Sequence, residues 1–149
     1  SGQSFTDPGF VEYLIETVSG SGVPPGCICF EITETAAVSN LTQTVKFMEA
    51  LKKIGCYFSL DDFGSGMSSF TYLKNLPVDY LKIDGYFVKT MISNEIDFAM
   101  VKSIHDIGHV MGLKTVAEFV EDDNIKVALT SLGVDYGQGY GIAKPEPFE

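Results

Sequence analysis

Two adjacent carboxylates, Asp61 and Asp62, close the apolar run Cys56-Tyr57-Phe58-Ser59-Leu60, and Phe63-Gly64-Ser65-Gly66 follows at once. An apolar run excludes isolated charges, because burying a carboxylate without a partner is costly. A cation should therefore face the pair, and a metal site suits the arrangement better than a core. Similar residues accompany the other apolar runs: Glu31 and Glu34, Lys82 and Asp84, Glu118 and Glu121, and Gln138. Lys82 stands between Leu81 and Ile83. A lysine there needs a carboxylate or phosphate partner, with Asp62 or a substrate oxygen the natural choice. The plainer reading of Glu34 and Glu121 is that they cap helices.

His105 and His109 lie one helical turn apart, a spacing that in a metalloprotease motif joins two imidazoles on one zinc. Asp106 occupies the place of that motif's glutamate and Gly108 weakens the helix, so the pair reads as a packed or solvated helix face. Cys27, Cys29 and Cys56 lie in apolar runs and read as buried thiols in a reducing cytoplasm. The Cys27-x-Cys29 pair lacks the usual zinc spacing. A net charge of -10 argues against a general basic surface for a nucleic-acid polymer. A small anion would need help from metal ions. No apolar run approaches the roughly 20 residues that span a bilayer, and Ser1-Gly2-Gln3-Ser4 does not begin a signal peptide. A soluble cytoplasmic domain is expected, whatever tethers a parent protein.

The elements that must position these groups alternate. Strands are expected at Cys27 to Thr33, Cys56 to Leu60, Tyr80 to Ile83, Thr115 to Ala117 and Val134 to Tyr136, apolar enough on both faces to be covered on both sides. Between them come helices with readable ends. Asp7-Pro8 starts one with Phe10, Leu14 and Val18 on a face, and Asn40 caps another with Leu41, Val45, Met48 and Leu51. A third carries Ile96, Met100, Ile104 and Ile107 to near Gly112, and a fourth runs from Asp123 to Leu132 and closes at Gly133. This is the pattern of an α/β chain of about five βα units on a parallel sheet. The chemical residues then gather at the C-terminal strand ends. Glu31 and Glu34 cannot both share one face of a regular strand, so one is expected in a loop.

Glu31-Ile32-Thr33-Glu34, Asp61-Asp62-Phe63-Gly64-Ser65-Gly66, Lys82-Ile83-Asp84-Gly85, Ala117-Glu118-Phe119-Val120-Glu121 and Gln138-Gly139-Tyr140 together resemble a known family in order and spacing. It is the EAL-domain phosphodiesterases, which hydrolyse the bacterial second messenger cyclic di-GMP. The resemblance covers nearly the whole chain and implies part of a modified TIM-type (β/α) barrel that opens one phosphodiester to give linear pGpG. It further implies two Mg²⁺ or Mn²⁺ ions. Glu31, Asp61, Asp62 and Glu118 would be metal ligands, and Lys82 would orient the attacking water. Glu118 could instead be a general base, and Asp62 could act through a metal-bound water. Gln138 would position water or substrate, Asp84 and Glu121 would support the site, and Glu34 would anchor the loop from Phe63 to Phe70.

In the family the name-giving Glu-Ala-Leu motif and an Asn ligand stand upstream of the position that Ser1 matches; the tripeptide Glu49-Ala50-Leu51, on the expected helix that Asn40 caps, is not that motif. Residues 1–149 therefore resemble the C-terminal portion of an EAL domain, lacking its N-terminal strands. The isolated chain is expected to be inactive and to self-associate through open strand edges, with a sensory or GGDEF-type domain upstream in the parent protein. Gly64 and Gly66 flank Ser65 in a loop that could relay partner or dimer state to Asp61 and Asp62. Two rival readings are a noncatalytic cyclic di-GMP receptor or interaction module, and an unrelated metal-dependent barrel lyase acting on carboxylates.

Overall fold

Most of the longer helices begin where a short polar side chain can take up a first-turn amide. In the computed structural model, which describes residues 7–64 and 70–147, Asp7 caps α1 (Pro8–Gly20) and Asn40 caps α3 (Leu41–Lys52). Asn94 caps α6 (Glu95–Val110), and Asp122 caps α7 (Asp123–Leu132), which ends at Gly133 in the left-handed conformation. The shorter helices are α2 (Glu34–Ser39), α4 (Phe70–Leu73) and α5 (Gly85–Thr90). Among the described residues the strands are β1 (Cys29–Thr33), β2 (Tyr57–Phe63), β3 (Tyr80–Ile83), β4 (Lys114–Ala117) and β5 (Tyr136–Gly137). Among the described residues, no helix is long and apolar enough to cross a membrane.

The chain divides into two units, Ser1–Asp61 with Ser68–Asp79, and Asp62–Met67 with Tyr80–Glu149. In the first, β1 and β2 pair in parallel, in a register that sets Glu31 opposite Ser59 and Thr33 opposite Asp61. Phe58 packs between Phe30 and Phe47, at ring-centroid distances of 5.5 and 5.9 Å, and Met48, Leu51 and Leu60 are fully buried. In the second unit β3, β4 and β5 run in parallel, with Lys82 opposite Val116 and Ala117 opposite Gly137. Leu81, Ile83, Val88, Val101 and Ala117 form its buried centre.

Several expectations need correction. Cys27 and Cys29 are exposed, and Cys56 alone of the three is buried. Cys27 belongs to a 3-10 turn, Pro25–Cys27, so the first strand begins two residues later than the apolar run suggests. Cys29 stands with Glu31 and Thr33 on an exposed face of β1, which is therefore not covered on both sides. Asp61 and Asp62 lie within β2 rather than after it, because pairing with β1 continues as far as Asp61. Glu31 lies inside β1, within the expected Cys27 to Thr33, and Glu34 opens a helix, so neither glutamate sits in a loop.

The inward stripe of α6 is Asp97, Val101, Ile104, His105 and Gly108, while Ile96 is 73% exposed. Polar residues can face inward there because each has a partner. The Thr90 hydroxyl donates to Asp97 at 2.6 Å, and His105 Nδ1 lies 2.8 Å from Thr115 Oγ1. Burial, then the neighbouring His109, hold the His105 imidazole below its ordinary range.

A recurring device starts the strands. Asp79, just before β3, accepts from the Phe58 amide at 2.9 Å and from Lys52 at 2.5 Å. Asp135, just before β5, accepts from the Thr115 amide at 2.9 Å and from Lys114 at 2.7 Å. Burial pushes the Asp135 carboxyl up, but hydrogen bonds from Lys114, Thr115 and His109 outweigh it and hold the group well below the usual carboxylate range. A depressed folded-state value means that the stabilisation is complete above the unfolded carboxyl's value of about 3.9 and fades as pH falls below it. Asp135→Asn is thus expected to cost about 2 kcal/mol at pH 7. Its deficit relative to the parent should shrink by pH 3 in urea titrations; an equal deficit at both pH values would contradict this origin.

Candidate functional site at the strand ends

Lys82 sits in the middle of β3, between two fully buried residues, and is itself only 4% exposed. An ammonium so placed requires a countercharge, and Glu118 Oε1 supplies it at 2.9 Å. The sheet dictates this meeting. Lys82 is opposite Val116, so residue 118, two positions on, projects from the same face. The Glu118 amide donates to the Ile83 carbonyl at 3.3 Å, which carries the ladder one step past β4. The sequence alone suggests Asp62 or a substrate oxygen as the partner of Lys82; the structure gives it an ion pair with Glu118, which the sequence did not suggest.

Asp62, exposed near the end of β2, has φ +56°, a conformation that aspartate tolerates better than most residues. A carboxylate oxygen of Asp62 and one of Glu118 lie within 4.8 Å of each other. Opposite ligands on an octahedral Mg²⁺ are about 4.2 Å apart, so these two hard donors need little movement to share such an ion. Asp61 precedes Asp62 directly and, in the first unit, shares a strand face with Glu31 across the β1–β2 pair. The Asp62 and Glu118 donors are all oxygen, which fits Mg²⁺ or Mn²⁺ rather than a thiolate-seeking metal.

Phe119 follows Glu118 with φ +52°. A bulky residue in that region is strained, and such strain collects at functional sites. Its side chain occupies the space over Gly85, where an added Cβ would meet Phe119 Cδ2 at 1.9 Å. Lys89 Nζ lies 4.2 Å from the Phe119 ring centroid and 3.4 Å from Glu121 Oε1. Glu121 is therefore engaged by a lysine, and the helix cap that the plainer reading gave it belongs to Asp122. Gln138 continues the β5 pairing: its amide donates to the Ala117 carbonyl at 2.8 Å and its carbonyl accepts from Val120 at 3.0 Å. Glu118, Phe119, Glu121, Gln138, Gly139 and Tyr140 line a cleft of about 310 Å³. Phe119 and Tyr140, both more than half exposed, were missed as site residues. They stand inside the motifs, but their exposure is a tertiary property.

The remaining candidates have other partners. Asp84 caps α5 by accepting from the Tyr86 amide at 2.8 Å. Glu34 is buried, and its carboxylate accepts a hydrogen bond from the Tyr72 hydroxyl on α4. Burial and then that bond push the Tyr72 phenol above its ordinary range. Thr33, not Glu34, caps α2. Gly64 has φ +102°, and a Cβ there would come within 3.0 Å of Ile104 and Phe87; Ser65 and Gly66 lie outside the described residues.

Comparison with known proteins places this geometry. The chain is 49% identical over 147 residues to cyclic di-GMP phosphodiesterase PdeB of Shewanella oneidensis, covering 99% of this chain and 17% of that protein. It is 44% identical to cyclic di-GMP phosphodiesterase PdeA of Borreliella burgdorferi, covering 97% of this chain and 22% of that protein. It thus spans about a fifth of the length of these curated relatives. The structure of PaMucR phosphodiesterase in complex with c-di-GMP superposes with a TM-score of 0.92 at 34% identity, covering 99% of this chain and 60% of that one. The fold is accordingly part of a TIM-like α/β barrel. A family model described as EAL domain matches residues 1–145, and the chain belongs to the EAL-domain family.

Proposed function

We propose that the protein to which this chain contributes hydrolyses cyclic di-GMP to linear pGpG in bacterial second-messenger signalling. The observation that carries the proposal is the buried Lys82–Glu118 pair, whose carboxylate comes close to that of Asp62 at the strand ends. In this reading residues 1–149 are the C-terminal portion of an EAL domain. The family resemblance assigns Glu31, Asp61, Asp62 and Glu118 as the residues that would hold two Mg²⁺ or Mn²⁺ ions. When bound, such ions lower the pKa of water and neutralise charge on the phosphate. Lys82, kept in place by Glu118, directs its remaining protons toward the attacking water and the phosphate oxygens. Gln138 orients substrate from the facing loop, Glu121 and Asp84 hold their segments in place, and Glu34 fixes the start of α4. The segment Gly64-Ser65-Gly66 is assigned, from its sequence, the relay of partner state to Asp61 and Asp62. A cytoplasmic location, self-association and a sensory or GGDEF-type domain elsewhere in the parent protein complete the proposal.

The test is incubation of the complete domain with cyclic di-GMP, with and without Mg²⁺ or Mn²⁺, and mass analysis of the product. Metal-dependent appearance of pGpG is expected. Binding of cyclic di-GMP without turnover would overturn the proposal in favour of the receptor reading, and binding of a carboxylic acid instead would favour the lyase.

A further inference from the structure

The chain has two histidines, and both lie in one cluster at the opposite end of β4 from Glu118. His105 and His109 are one turn apart near the end of α6, with ring centroids 4.1 Å apart. Their spacing alone reads as a helix face. The tertiary structure adds Asp135, so that one ligand atom from each of the three residues lies within 4.8 Å of the others. Thr115, which anchors the cluster, stands three residues before Glu118, roughly 10 Å along a strand. The two sets of ligands are therefore separate.

The surrounding hydrogen bonds orient these side chains. A carboxylate only accepts, so each group facing Asp135 is a donor. These groups are Lys114 Nζ at 2.7 Å, the Thr115 amide at 2.9 Å, Thr115 Oγ1 at 3.2 Å and His109 Nε2 at 2.6 Å. Because the Thr115 hydroxyl gives its proton to Asp135, it accepts from His105 Nδ1 at 2.8 Å. That assignment places the His105 proton on Nδ1 and the lone pair on Nε2, the form in which an imidazole binds a metal. Metal-bound histidines characteristically have the second ring nitrogen held in this way by a hydrogen-bonding partner.

We propose that His105, His109 and Asp135 form a second metal site, which takes one imidazole-preferring divalent ion of the Zn²⁺ type. Two imidazoles and one carboxylate make a three-ligand set that leaves a fourth position for water, in contrast to the all-oxygen set at the other end of β4. The ion takes the place of the proton shared by His109 Nε2 and Asp135 Oδ2, and that proton leaves to solvent. The bound ion clamps the last turns of α6 to the segment entering β5. Lys114 opposes binding, since its ammonium is paired with Asp135 Oδ1.

The test uses Co²⁺ as a spectroscopic probe, with the 149-residue protein in excess Mg²⁺ to occupy the acidic set, and with Cys27→Ser and Cys29→Ser to remove the exposed thiols. One equivalent of Co²⁺ should bind with visible d–d absorption, shifting or broadening the proton resonances of both histidine rings. His109→Ala and Asp135→Asn should each weaken binding at least about tenfold, and Lys114→Gln should tighten it several-fold. No binding, binding that leaves both histidine resonances unmoved, or affinity unchanged in His109→Ala would each overturn the proposal. Should Asp135→Asn fail to fold, the ring resonances and the variants at the partly exposed side chains of His109 and Lys114 still decide it.

Discussion

In the complete domain, Lys82→Met is expected to lower the proposed cyclic di-GMP turnover by about 10³-fold and to destabilise the fold by about 3 kcal/mol. Both effects have one cause. The Lys82 side chain is 6% exposed and that of Glu118 13%, so removing the ammonium leaves a carboxylate in a poorly solvated place without its ion-pair partner. Methionine fills much of the same volume, so packing changes little. The loss then measures charge. The two roles can be separated, because Lys82→Met combined with Glu118→Gln removes both charges and should recover part of the stability, as double-mutant cycles resolve for contacting pairs. Turnover should stay low in the double variant, because the proposed role of Lys82 toward water and phosphate needs its proton donors, and these are still missing. Urea denaturation and product formation measure the two quantities side by side. A single variant with stability within experimental error and turnover within twofold of the parent would refute both the electrostatic and the catalytic account.

Gly139→Ala should lower the melting temperature by about 10 °C, the shift that roughly 3 kcal/mol produces in a domain of this size. A Cβ at Gly139 would lie 2.4 Å from both the nitrogen and the oxygen of Val120. These are backbone atoms, which cannot swing aside as the tip of a side chain can. They are also committed, since the Val120 amide donates to the Gln138 carbonyl at 3.0 Å and its carbonyl accepts from Gly141 at 2.8 Å. Relief of the clash therefore breaks hydrogen bonds as well as overpacking the loop. Gln138 and Glu118 flank the displaced segments, so turnover should fall along with stability. Calorimetry giving a melting temperature within 2 °C of the parent would show that the loops separate without cost. Gly85→Ala tests the same principle more gently. Its methyl would meet Phe119 at Cδ2 and Cγ, which rotation about χ1 can move aside, and at Cβ, which moves only with the backbone.

Much of this protein was legible before folding was considered, and for local reasons. Helix starts at Asp7 and Asn40 are readable because a cap depends on one side chain and the amides next to it, and the start at Asp123 because acidic residues favour the first turn. Strand β3 was placed residue for residue, since Tyr80 to Ile83 is bounded by turn residues and a capping aspartate. The five motif segments identified the family because each carries residues whose chemistry is unusual for its place, such as a lysine between two core aliphatics. The amphipathic reading of α6 failed at Ile96, because hydrophobic period cannot register a buried Asp97 or His105 whose partners arrive from other segments.

The sequence by itself determined the class of fold and the order of βα units, and it named the chemical residues that accompany them, because these follow from side-chain type and short-range spacing. The tertiary structure alone decided who meets whom. Parallel register set Glu118 beside Lys82, a strained backbone placed Phe119 over Gly85, and the approach to β5 brought Asp135 to the two histidines. Such pairings depend on distances between segments remote in sequence, and no local propensity encodes them.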